Sequence, residues 1–90
     1  MVIYRKGYRK DYMMEHKVTF EIKKHIGVIC NQESGWTREL NIVSWNDQSP
    51  KFDIRDWNDK HDRMGKGITL KDEEMARVVE MYLDHSKNES

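Results

Sequence analysis

Trp45, Lys51, Arg55 and Trp57 place two flat rings and two cations on either side of a turn, at spacings that adjoining strands would bring onto one face. Rings stack on nucleobases and cations follow phosphates, so this combination suits a single-stranded nucleic acid. Each stacked base contributes about 1–3 kcal/mol whatever its identity. On pattern alone, the two rings serve equally well as hydrophobic contacts in a dimer interface or beneath an N-terminal arm. Arg38 is a further candidate for a phosphate contact. Trp36 either caps the core or stacks on a base, and Lys24 either reaches the same groove or is simply solvated.

No other constellation supports chemistry. His16, His25, His61 and His85 never pair at i, i+4, and the lone Cys30 completes no zinc pattern. Asp56–Asp62 has the look of a calcium loop, but Lys60 and the final Gly67 occupy positions that need oxygen ligands. Gly65-Lys66-Gly67-Ile68 lacks the hydroxyl residue and upstream glycine of a phosphate-binding loop. Strand parity separates Cys30 from His25, which leaves Cys30 as a buried structural residue. No catalytic residue, metal or cofactor is expected, and the chain does not read as an enzyme.

These residues are positioned by a regular succession of elements. Val18, Phe20 and Ile22 alternate with polar residues, and Ile26, Val28 and Cys30 keep the same parity. That predicts one long strand, bent near Gly27. Asn31–Gly35 is turn chemistry, a second strand runs from Trp36 to about Asn46, and residues 46–50 form the next turn. Lys51–Trp57 is a third strand, with Phe52 and Ile54 inward and Lys51, Asp53, Arg55 and Trp57 outward. A loop over residues 58–65 leads to a short strand over 67–70. A helix follows over 72–84, with Asp72, Glu73 and Glu74 in its first turn and Met75, Val78, Val79, Tyr82 and Leu83 in one stripe. The predicted class is α+β, a four-stranded antiparallel sheet followed by one C-terminal helix. The helix is expected to cover one sheet face, leaving the other for Trp45, Lys51, Arg55 and Trp57.

The chain has 90 residues, 37% hydrophobic and 36% charged, which is a thin core for an independent monomer and favours a homodimer. Net charge is zero, but residues 1–25 carry seven Lys/Arg against three acids, and residues 71–90 carry six acids against three Lys/Arg. A neutral total thus conceals a basic front and an acidic end. Residues 1–15 form a basic, tyrosine-rich arm, residues 16–85 the folded domain, and residues 86–90 a frayed tail. No apolar run reaches membrane-spanning length and no signal peptide is evident, so the expected setting is cytoplasmic, or nucleoid-associated if the source is bacterial.

The blocks GWTRELNIVSWN, KFDIRDW and GKGITL, in that order and followed by an acidic helix start, resemble the PC4-like transcriptional coactivator family, and especially its short bacterial YdbC-like branch. The likeness covers roughly residues 18–84. It implies homodimers of ββββα chains whose curved sheets offer a groove to single-stranded DNA. It also implies DNA contacts at Trp45, Lys51, Arg55, Trp57 and Lys66. The chain departs from eukaryotic members in lacking an extra aromatic before Trp57 and in carrying Val43 at a basic position. The expected function is therefore single-stranded DNA binding of low sequence specificity, as a transcriptional cofactor. The rivals are single-stranded RNA binding on the same surface and a protein-interaction module using exposed tryptophans.

Overall fold

The computed structural model describes residues 18–89; the basic aromatic arm at residues 1–15 lies outside them. Four strands and a helix follow one another as β1 (Phe20–Asn31), β2 (Thr37–Trp45), β3 (Lys51–Trp57), β4 (Met64–Leu70) and α1 (Asp72–Glu89). The strands form one open, curved antiparallel sheet in sequence order. The expected fold class is therefore the observed one. The helix, expected over 72–84, continues through Glu89.

Local chemistry explains the corners. Asn46 and Asp47 both take left-handed backbone angles, which short amide and carboxylate side chains tolerate, and Gln48 N–H closes the turn on Trp45 C=O at 2.9 Å. Asn46 also exchanges two hydrogen bonds with Thr19, tying the entry of β1 to the end of β2. Gly35, at φ 95°, supplies the turn between β1 and β2. At the helix start the Glu74 carboxylate accepts the Lys71 N–H at 2.8 Å, half of a capping box.

Register bears out the face shared by β2 and β3 and corrects the one expected for β1. Thr37, Glu39, Asn41 and Val43 lie opposite Trp57, Arg55, Asp53 and Lys51, so these residues share one face with Trp45. Leu40, Ile42, Phe52 and Ile54 share the other. In β1 the single parity predicted from Phe20 to Cys30 is broken by register shifts at Ile22/Lys24, His25/Gly27 and Val28/Cys30. Phe20, Ile22, His25 and Val28 therefore join the Trp45 face, while Lys24 and Cys30 fall on the opposite one. Cys30 is exposed, where a buried thiol was expected, because it lies on the edge strand β1, on the face opposite the core.

The core sits on the face expected to be open. Phe20, Val43, Trp57 and Met64 are its buried members, with Val18, Ile22 and Trp45 packed against them. Among the described residues no layer covers them, and the sheet buries them by curling toward its own face. The helix does not cover the opposite face either. It meets only β3 and β4, and Val78, Val79, Met81, Tyr82 and Leu83 are exposed. The radius of gyration, 15.0 Å, exceeds the roughly 12 Å of a compact chain this size.

Candidate nucleic-acid interface

Asp53 organises one end of the Trp45 face. Its carboxylate is wholly buried and accepts Arg55 Nε–H at 2.6 Å and Nη2–H at 2.9 Å. It also accepts the Thr69 hydroxyl at 2.9 Å and the Trp45 indole N–H at 3.3 Å. Burying a carboxylate is costly unless it is hydrogen-bonded, and this one accepts four hydrogen bonds, three of them at Oδ2. The Arg55 guanidinium lies 4.8 Å from the centre of the Trp45 ring, and Phe20 meets that ring at a 5.7 Å centroid separation. Trp45 is therefore held at its N–H, on one face by Arg55 and against the tilted Phe20 ring, and yet remains partly exposed. It lines an open cleft with Lys51, Thr69, Lys71 and Glu74.

Sequence reasoning overlooked Lys71. Its only signal was position, one residue before the acidic helix start, and folding brings it to the same cleft as Lys51 and Trp45.

The remaining expected residues divide. Trp57 shares the face but is fully buried against Phe20, at 5.3 Å between ring centroids, and stacks on His61 at 5.6 Å. It offers no exposed ring, which corrects its expected outward placement. Its indole N–H finds no acceptor among the described residues. Arg55 also shares the face, but its side chain is only 11% exposed and its charge is taken up by Asp53. Arg38 and Lys24 sit on the opposite face, and Arg38 pairs with Asp56 at 2.9 Å. That hydrogen bond holds the Asp56 carboxyl below and the Arg38 guanidinium above their ordinary pKa values. Trp36 precedes β2 and is half-buried, whereas Lys66 is exposed on edge strand β4. Gly67, opposite Arg55, has no room for a side chain: a Cβ there would strike Arg55 Cβ and the Ile54 carbonyl.

A second polar group occupies the other end of the face. Glu39, 2% exposed, accepts the Thr37 hydroxyl at 2.5 Å, Asn41 Nδ2–H at 3.1 Å and His61 Nε2–H at 3.0 Å to either oxygen. Burial pushes its pKa up, but those hydrogen bonds outweigh burial and hold it below the usual carboxylate value. His25 Nδ1 lies 2.7 Å from Asn41 Oδ1 and 3.5 Å from Glu39. His61 reaches Glu39 from the β3–β4 loop, where the Asn58 side chain accepts the backbone N–H groups of Asp62 and Arg63. No cluster of three or more His, Cys, Asp or Glu suited to a metal occurs among the described residues, and none of their helices is long and apolar enough to cross a membrane.

The family model for Transcriptional Coactivator p15 (PC4) matches residues 32–81, from the β1–β2 turn well into α1. The chain belongs to the PC4 family. An uncharacterized protein of Treponema pallidum (strain Nichols) is 34% identical to this PC4 family member over 62 residues, covering 69% of this chain and 73% of that protein. The matched segment includes Trp45, Lys51, Arg55, Lys66 and Lys71, so the Trp45 cleft lies within the part that defines the PC4 family.

Proposed function

We propose that the chain is a homodimeric single-stranded-DNA-binding protein of the PC4 family, acting as a transcriptional cofactor with little sequence preference. The observation that carries this reading is Trp45, a partly exposed ring held from three sides beside Lys51 and Lys71 in one open cleft. A ring so fixed loses little entropy when a base stacks on it, and the lysines stand where phosphates would pass. Lys66 adds a cation on β4. Arg55 orients Trp45, and Trp57 supports the face from beneath. Lys24 and Arg38, on the opposite face, take no part in a strand lying across Trp45, and Trp36 borders that face. The second copy covers the uncovered apolar surface, namely the helix stripe of Val78, Val79, Tyr82 and Leu83 and the sheet face of Leu40, Ile42, Phe52 and Ile54.

Titration of fluorescent oligo-dT, oligo-U and duplex DNA at two salt concentrations tests this. Oligo-dT is expected to bind more tightly than duplex, with an affinity that falls as salt rises. Binding of oligo-U far above oligo-dT would transfer the reading to RNA. Absence of binding to all three would leave a protein-interaction module.

A further inference from the structure

The Glu39 end of the sheet face forms an open cleft of about 500 Å3, walled by Ile22 and Val28 and rimmed by His25, His61 and Asp59. Its hydrogen-bonding polarity follows from Glu39 alone. The buried carboxylate only accepts, so the Asn41 amide must turn its Nδ2–H toward it, at 3.1 Å. Asn41 Oδ1 then faces His25 at 2.7 Å, and His25 Nδ1 must carry the proton. In the same way His61 Nε2, 3.0 Å from both carboxylate oxygens, must carry the other. In the neutral rings this leaves His25 Nε2 and His61 Nδ1 as lone-pair acceptors. Asp59 adds a carboxylate, and no lysine or arginine is among the described residues lining the cleft. Such a site rejects phosphate and takes a flat, partly apolar group that presents N–H donors.

We infer that this cleft accepts one nucleobase of a bound single strand and selects bases bearing an exocyclic amino group. The inference rests on the single-strand reading above and adds a base preference to it. Trp45 and Glu39 lie on the same face of β2, about 20 Å apart at the rise of a strand, so one oligonucleotide crossing that face passes both sites. Stacking at Trp45 is indifferent to the base. The cleft is not, because cytosine offers its N4 amino group where uracil offers a carbonyl oxygen that the acceptors repel.

The test compares oligo-dC with oligo-dU, which match in size and differ in the donor pattern, at mildly alkaline pH. Oligo-dC is expected to bind about threefold to tenfold more tightly, the gain of one hydrogen bond. His25→Ala and Asp59→Asn should each bring the ratio toward one, while Trp45→Ala should weaken both oligonucleotides and keep the ratio. Long-range nitrogen–proton spectra of the imidazoles provide a second readout, expected to show His25 protonated at Nδ1 and His61 at Nε2. Equal affinity for the two oligonucleotides overturns the inference and leaves single-strand binding standing. Binding of neither overturns both, and inverted tautomers overturn the inference whatever the affinities.

Discussion

The Arg55 guanidinium lies 4.8 Å from the centre of the Trp45 ring while both its Nε and Nη2 groups grip the Asp53 carboxylate. On the proposed function, an arginine so engaged would act on a nucleic acid through the ring it steadies. Arg55→Lys keeps the charge but loses the planar two-point grip. It is expected to lower the melting temperature and weaken oligo-dT binding nearly as far as Trp45→Ala, about 1–3 kcal/mol. A phosphate-contacting arginine would instead be replaced by lysine with little change in the melting curve, so calorimetry and titration together decide.

Lys51→Ala and Lys71→Ala should behave differently from Trp45→Ala. Each removes a cation from the Trp45 cleft and is expected to reduce the log–log salt slope by about 0.7 for every phosphate that is no longer neutralised. Trp45→Ala should leave the slope nearly unchanged, because stacking releases no counterions. Oligo-dT affinity measured across a salt series checks both.

Trp57 is a core residue, and its substitution should register as stability. Trp57→Ala is expected to cost about 3–5 kcal/mol in urea unfolding. Trp57→Phe should cost much less, since it keeps a ring against Phe20 and removes an indole N–H that has no acceptor among the described residues.

The helix stripe yields a prediction about assembly. Leu83→Glu puts a charge into a patch that includes Tyr82 at 64% exposure and Leu83 at 57%. A protein that buries this stripe against a second copy should sediment as a 10.9 kDa monomer once it carries the substitution, and as twice that mass without it. A parent that sediments as a monomer at micromolar concentration would contradict the homodimer.

Glu39 predicts a pH dependence whose sign follows from its environment. Its folded-state pKa is lowered, so its contribution is fully present above the unfolded carboxylate pKa of about 4.3 and is lost as pH falls through the folded value. Unfolding midpoints should therefore drop on acidification below about pH 5. Glu39→Gln should lower stability at neutral pH and flatten that part of the profile, because a neutral amide cannot accept from Thr37, Asn41 and His61 together.

The order and type of the elements were legible in the sequence because their signals are local. Alternation marked β3 as Lys51–Trp57, Asn46-Asp47 marked its preceding turn, and three acids before an apolar stripe marked the start of α1. The shared parity of Trp45, Lys51, Arg55 and Trp57 was local too, and the register places them on one face. Which face forms the core was not local. It depends on register shifts in β1 that bring His25 onto the Trp45 face and take Lys24 and Cys30 off it, and on a curvature that buries Trp57 without a covering layer among the described residues. The two polar clusters likewise exist only after folding. Asp53 meets Thr69 across β3 and β4, and Glu39 meets His25 across the β1–β2 pairing and His61 through the β3–β4 loop. The sequence by itself determined four strands, a helix and a ring among cations; tertiary structure decided what each ring does, because burial and hydrogen-bond partners are set by residues far away along the chain.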